Sequence, residues 1–235
     1  MTVTGNQKVA MVSGGGRGIG LEIVRELLSR NWKVSVGMRT PRELFPEHHE
    51  NLLVTYFDAT VEQSEEDWIA KTAEKFGQID AIVHNAGVLS DRSVLEASNV
   101  QFDEIFDINV KSPMRLTQKV WQHLVESDAG KVIIIASLAS KRIRAPEATL
   151  YSISKFAALG LAHSLRVCGD PVNVRVTAIC PGFVATDMAS YVPLEKLKKL
   201  TQPEDVAKTV SMVLELPSTA SIAEIPINWT AESQY

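Results

Sequence analysis

Tyr151 and Lys155 stand four residues apart in the run Leu150-Tyr151-Ser152-Ile153-Ser154-Lys155, and Ser137 lies upstream at the end of the apolar run Val132–Ala136. Four residues is about one helical turn, so a phenol and an ammonium project from one helix face. A positive charge beside a phenol favours the phenolate. The pair therefore predicts a lowered tyrosine pKa and a side chain that passes a proton near neutral pH. Ser137 adds a hydroxyl for the same oxygen. Together the three suit proton transfer to or from a carbonyl or an alcohol. Taken alone, such a pair is more often a packed ring beside a solvated amine, and the rest of the chain has to decide.

The N-terminus carries a second chemical feature, Lys8-Val9-Ala10-Met11-Val12-Ser13-Gly14-Gly15-Gly16-Arg17-Gly18-Ile19-Gly20. A short apolar run leads into a glycine cluster. A helical pattern follows, with Ile19, Ile23, Leu27 and Leu28 on one face. Glycines at a strand-to-helix turn let the backbone come close to a phosphate, and the first free amides of the helix point at that anion. Gly14, Gly18 and Gly20 do not fit the G-x-G-x-x-G dinucleotide spacing in any register. Placement between a strand and an amphipathic helix still favours a phosphate cradle over a merely flexible turn.

The elements that must position these groups read as an alternation. Strands are predicted at Val9–Ser13, Lys33–Met38, Leu52–Phe57, Ala81–His84, Val132–Ala136, Asn173–Ile179 and Ile222–Ile227. Helices are predicted at Gly18–Asn31, Gln63–Phe76, Val100–Glu126, Thr149–Cys168 and Pro203–Leu214, the third being long enough to bend near Asn109. Alternation of this kind implies an α/β fold with about seven parallel strands, right-handed crossovers and helices on both faces. No repeat, low-complexity segment or linker divides residues 1–235, so a single domain is expected. The polar, lysine-rich stretch Asp187–Thr201 is expected to be a short substrate lid.

Composition excludes several classes. At 235 residues, 45% hydrophobic and 22% charged, the chain is long enough for a substantial core and ordinary in its balance. A net charge of −4 argues against a nucleic-acid partner or an anionic membrane surface. No apolar run is long enough to span a bilayer, and Met1–Lys8 lacks a signal-peptide core. Cys168 and Cys180 do not make a disulfide framework. Both are expected to be buried thiols in a reducing cytoplasm. No His/Cys cluster suggests a metal, and His48-His49 is read as solvated.

With those residues in view, the chain resembles a single-domain short-chain dehydrogenase/reductase. Ser13-Gly14-x-x-x-Gly18-x-Gly20 resembles the cofactor loop of that family. His84-Asn85-Ala86-Gly87 resembles its Asn-Asn-Ala-Gly motif, with His84 in place of the first asparagine. Asn109 falls at the family's active-site asparagine. Ser137, Tyr151 and Lys155 match its catalytic trio, and Pro181-Gly182-Phe183-Val184-Ala185-Thr186 resembles the loop that holds the nicotinamide amide. Ser137 precedes Tyr151 by fourteen residues, one more than the commonest family spacing, and Glu224–Tyr235 lacks the Asp-Gly-Gly ending of many members.

The resemblance implies a Rossmann-type doubly wound sheet and a nicotinamide cofactor held by Gly14, Gly16, Arg17, Gly18, Ile19, Gly20, Asp58, Asn85, Ala86, Gly87, Tyr151, Lys155, Pro181, Gly182, Val184 and Thr186. It implies that Asn109 holds a water that relays protons to Lys155, that Lys155 binds the nicotinamide ribose, and that Asp58 contacts the adenine. Plainer alternatives are a strand-end cap for Ser137, a helix breaker for Asn109 and a helix N-cap for Asp58. An NAD site needs a carboxylate at the end of the second strand. That position is Met38 here. Arg39 follows it, Arg17 sits in the glycine loop, and guanidinium groups suit a 2′-phosphate, so NADP(H) is favoured over NAD(H).

The expected activity is reversible hydride transfer between the nicotinamide and a small-molecule carbonyl or secondary alcohol. Arg142 and Arg144, close behind Ser137, face either an acidic substrate or solvent. One rival is a catalytically silent dinucleotide-binding sensor or scaffold, which has no need of both Tyr151 and Lys155. Another is an isomerase or dehydratase, which needs an extra substrate domain. The helices around Val100–Glu126 and Thr149–Cys168 are expected to pair two subunits, giving a homodimer or homotetramer.

Overall fold

The structure is a computed structural model that describes residues 7–189 and 192–231. Strands β1 (Val9–Ser13), β2 (Lys33–Met38), β3 (Leu52–Tyr56), β4 (Ala81–His84), β5 (Lys131–Ile135), β6 (Arg175–Pro181) and β7 (Glu224–Ile227) form one seven-stranded sheet in the order β3-β2-β1-β4-β5-β6-β7. Every pairing is parallel. β1, β4 and β5 are buried at every residue, as near-continuous apolar strands covered on both faces must be. The order reverses between β1 and β4. That crevice, at the carboxyl ends of the strands, is where open sheets of this kind bind ligands.

The covering helices are α1 (Gly18–Ser29), α2 (Glu62–Phe76), α3 (Asn99–Phe106), α4 (Ser112–Glu126), α5 (Thr149–Gly169), α6 (Leu194–Leu197) and α7 (Pro203–Glu215). They bury two cores, one on each face. Ile23, Val24 and Leu27 of α1 meet Val206, Val210 and Leu214 of α7 on the first. Trp68 of α2, Leu116 and Val120 of α4, and Ala158 and Ala162 of α5 make the second. The Rossmann-type α/β architecture expected from the alternation is therefore present.

The long third helical stretch is broken at Asn109. Residues Asp107–Lys111 form a π turn between α3 and α4, and the Ser112 amide bonds the Asp107 carbonyl, one residue further back than in an α-helix. Pro113 supplies the reason. It stands four residues after Asn109, has no N–H, and cannot make the bond an α-helix would require.

Some details depart from the sequence reading. Cys180 is buried, but Cys168 near the end of α5 is exposed, because with Val167 it lies on the solvent side of the last turn, whose Gly169 is buried. β6 runs on to Pro181, two residues past the expected end, because β7 pairs with Cys180 and Pro181. His84, which stands in place of the motif's first asparagine, is 3% exposed, its Nε2 lies 2.7 Å from Thr117 Oγ1 of α4, and burial holds its pKa down to about 3, so it stays neutral. Among the described residues no helix is long and apolar enough to cross a membrane.

Candidate active site

The glycine turn closes tightly on the sheet. Gly14 takes φ +67°, a left-handed conformation that suits glycine. A Cβ on Gly20 would stand 2.4 Å from the Gly14 carbonyl oxygen and from Asn85 Nδ2, so only glycine lets α1 approach so closely. Ser13 and Asn85 lock the turn to β4. The Ser13 hydroxyl accepts from the Asn85 and Ala86 amides at 3.0 Å each, while Asn85 Nδ2 donates to the Ser13 and Gly14 carbonyls at 3.0 and 3.1 Å. The first turn of α1 has no acidic residue, and its N-cap, Arg17, makes no side-chain cap bond. A helix N-terminus left in that state suits an anion, so the residues present fit a dinucleotide pyrophosphate.

The second half of the site is gathered by Asn109, which is 3% exposed. Its Oδ1 accepts from the Val88 amide at 2.9 Å, and its Nδ2 donates to the Val88 carbonyl and to Ser154 Oγ at 3.0 Å each. Ser154 in turn donates to the Tyr151 carbonyl at 2.7 Å. Gly87 lies between the parts. A Cβ there would meet Asn109 Oδ1 at 3.1 Å and Lys155 Nζ at 3.6 Å. Ser154 was not singled out in the sequence. Its place inside the Tyr-x-x-Ser-Lys run, next to a lysine on the buried face, was the available signal.

Ser137, Tyr151 and Lys155 do come together, at the ends of β5 and α5. The Ser137 hydroxyl accepts from the Ala139 amide at 3.0 Å, so it caps a 3₁₀ turn, and donates to the Pro181 carbonyl at 3.4 Å; it is also near enough to the Tyr151 phenol to draw its pKa down. Lys155 Nζ donates to the Ile135 carbonyl at 2.9 Å and stands 5.8 Å from the Tyr151 ring centroid. The expected lowering of the tyrosine pKa by Lys155 is not found in this arrangement. Burial dominates and pushes Tyr151 up to about 12, with the Ser137 hydroxyl pulling the other way. Burial also brings Lys155 down to about 8. At neutral pH the phenol is therefore protonated and the amine charged.

The remaining candidates sit around the turn. Thr186 is the nearest neighbour a Gly18 Cβ would meet, at 3.3 Å. The Val184–Thr201 bridge and an Ala185 amide bond to the Thr201 carbonyl at 2.9 Å fasten the base of the segment between them. Asp58 Oδ1 accepts from the Thr60 amide and hydroxyl at 2.9 and 2.8 Å; it does not cap α2, whose N-cap is Val61. Arg17 is paired with Asp187 at 3.1 Å, Arg39 is exposed, and Met38 is buried against Gly16. Arg142 Nη1 donates to the Leu138 carbonyl at 3.3 Å. Among the described residues no group of three or more His, Cys, Asp or Glu is placed to hold a metal.

Comparison with known proteins gives the same neighbourhood. The family model for short chain dehydrogenases matches residues 8–196. The agropine synthesis reductase of Rhizobium rhizogenes is 31% identical over 96% of this chain and 53% of that protein, so the chain spans about half the length of the reductases of that name which it matches. An alcohol dehydrogenase from the archaeon Thermococcus sibiricus, complexed with 5-hydroxy-NADP, is 25% identical with a TM-score of 0.84, covering 97% of this chain and 100% of that one. A 3-ketoacyl-(acyl-carrier-protein) reductase from Brucella melitensis, complexed with NADH, shares the fold at a TM-score of 0.86 and 21% identity, over 94% of this chain and 96% of that one.

The lowered lysine has a measurable consequence. Its folded pKa, about 8, lies below the unfolded value near 10.5, so between those limits the unfolded chain binds more protons. This contribution makes stability rise with pH across that window. Tyr151, raised to about 12, adds the opposite slope only above about pH 10. Lys155→Met removes the lysine contribution. In urea melts from pH 7.5 to 10, the stability of the variant relative to wild type should be highest at the acid end and fall as pH rises. A constant difference would show that Lys155 is not held down by burial.

Proposed function

The chain belongs to the short-chain dehydrogenase family, and from that premise we propose that it is an NADP(H)-preferring oxidoreductase acting on a carbonyl or the corresponding secondary alcohol, with Ser137, Tyr151 and Lys155 as its catalytic residues. The observation that carries the reading is the gathering of Ser137 and Tyr151 at the Asn109-braced start of α5, beside an uncapped helix N-terminus. The Thermococcus sibiricus relative, an alcohol dehydrogenase complexed with 5-hydroxy-NADP, supports both the alcohol/carbonyl class and the cofactor. The rival of a silent dinucleotide-binding sensor leaves the buried lysine and the phenol near Ser137 without a use.

When bound, the nicotinamide dinucleotide supplies or accepts the hydride. Gly14, Gly16, Gly18, Ile19 and Gly20 would hold its pyrophosphate, Arg17 and Arg39 a 2′-phosphate, and Asp58 its adenine. Asn85–Gly87 with Pro181, Gly182, Val184 and Thr186 would hold the nicotinamide end. The chain's own part is proton management. The Tyr151 O–H donates to the substrate oxygen, which is a stronger base than a phenolate once it carries alkoxide charge. Ser137 hydrogen-bonds the same oxygen and fixes its direction. Lys155, charged at neutral pH, stabilises the phenolate that Tyr151 becomes. A phenol raised to about 12 is an acid at neutral pH, which favours the reducing direction.

We read residues 187–201 as the substrate lid; Ser190 and Tyr191 within it lie outside the described residues. The subunit expectation has support in exposed aromatic rings. Phe102 and Phe106 of α3 stack at 4.3 Å, and Phe102 and Phe156 are 41% and 42% exposed. Their pairing across a two-fold axis gives a homodimer at least. Cys168, free and exposed, suits a reducing cytoplasm.

Three outcomes test these assignments. Tyr151→Phe should keep cofactor affinity and lose roughly 10²-fold or more in turnover, the scale of a missing general acid; near-normal turnover sinks the assignment. Arg39→Ala should cost NADPH about ten- to a hundredfold in kcat/KM and spare NADH, and adding Met38→Asp should invert the preference. Equal loss with both cofactors would make Arg39 structural. Light scattering at micromolar concentration should give at least a dimer mass, and a monomer would refute the pairing.

A further inference from the structure

The arginines around the glycine turn are not equally placed. Arg17 turns toward the segment after β6, with Nη1 3.1 Å from Asp187 Oδ2. Arg39 is exposed and makes no hydrogen bond or ion pair among the described residues. Arg42, three residues further on, reaches back, and its Nη2 donates to the Gly16 carbonyl at 2.7 Å. Gly16 lies against the Met38 side chain, whose Sδ would be 3.3 Å from a Cβ at that glycine. Met38 ends β2, the place where a fold of this kind meets the ribose 2′ position. The bond to Gly16 uses one donor of a planar fork and leaves the others for an anion.

The loop that presents Arg42 is built to hold it. Leu44 and Phe45 pack against the core under α1. Phe45 sits at φ 46°, ψ 65°, a left-handed conformation that a bulky side chain keeps only when its surroundings impose it. The Arg25 guanidinium of α1 lies 4.9 Å from the centroid of the Phe45 ring. Three residues from Arg42, the loop is thus pinned to the same helix whose N-terminus the glycine turn opens.

We propose that Arg42 acts with Arg39 to select the 2′-phosphate of the dinucleotide, and that Asp187 withholds Arg17 from that phosphate. The proposal rests on the NADP(H) reading above. A phosphate dianion takes guanidinium partners by charge-assisted, forked hydrogen bonds. Arg42, though exposed, is already tied to Gly16, which lies against Met38; Arg39 makes no bond among the described residues, and Arg17 has to leave a carboxylate.

Binding titrations of the full chain with 2′,5′-ADP and 5′-AMP isolate the phosphate, since the two probes differ in nothing else. Wild type should bind 2′,5′-ADP more tightly. Arg42→Ala should loosen 2′,5′-ADP by roughly tenfold or more and change 5′-AMP by less than about twofold. Arg42→Lys, which keeps the charge without the fork, should fall between. Asp187→Asn should tighten 2′,5′-ADP by about two- to fivefold, the worth of an exposed ion pair. Equal loss of both probes in Arg42→Ala would make Arg42 a brace of the glycine turn and overturn its assignment, as would no loss at all. Unchanged binding in Asp187→Asn would overturn the part given to Asp187. A wild type that binds both probes equally would instead sink the NADP(H) reading itself, and would do so before any substitution is made.

Discussion

The site depends first on where the Asn109 amide finds its partners. A buried primary amide that leaves donors or acceptors unmet costs about 1–3 kcal/mol, so Asn109 goes where bonds exist. It finds both polar groups of the Val88 backbone and the Ser154 hydroxyl, and so joins three segments: the loop after β4, the π turn before α4, and the first turns of α5. Tyr151 and Lys155 ride on the last of these. The π turn that aims the amide follows from a single missing N–H at Pro113. One imino acid thus reaches the phenol through a short chain of hydrogen bonds.

The second dependence is a matter of space. Gly20 puts α1 so close to Gly14 that no side chain fits, and the same closeness leaves the first amides of α1 facing the crevice where the strand order reverses. Packing then sets the electrostatics. Tyr151 and Lys155 are deep enough that loss of water governs both, holding the phenol neutral and drawing the amine down toward neutral pH. Neither shift draws on the other residue, and Lys155 spends a donor on the Ile135 carbonyl. His84 shows the same rule in a structural role, as burial keeps it neutral against Thr117.

Much of this was legible in the residues. Apolar β-branched runs gave strand positions to within a residue or two, since a strand buried on both faces leaves no other pattern. The spacing of Tyr151 and Lys155 and the break at Asn109 were also readable, because helical geometry and the chemistry of those side chains are local. What could not be read was anything set by distant contacts. Cys168 looks like any buried thiol until the side of the last turn of α5 that faces the core is known. The loss of water around the Tyr151 phenol, which reverses the expected pKa shift, is a sum over residues far apart in the chain. The partner of Arg17, 170 residues away, and the reach of Arg42 to Gly16 depend on loops whose paths no spacing specifies.

The central claim is that this arrangement moves a hydride between a nicotinamide and a carbonyl carbon while Tyr151 handles the proton. Its most direct test follows the hydride itself. NADPH deuterated at C4 is incubated with the protein and a panel of aromatic ketones, sugars, keto acids and quinones, and the products are read by mass spectrometry. The account predicts an alcohol with one deuterium on the former carbonyl carbon for at least one member of the panel, and loss of that product in Tyr151→Phe. Tight binding of NADPH with no deuterium transferred to any carbonyl would contradict it and leave a protein that holds the dinucleotide without using it.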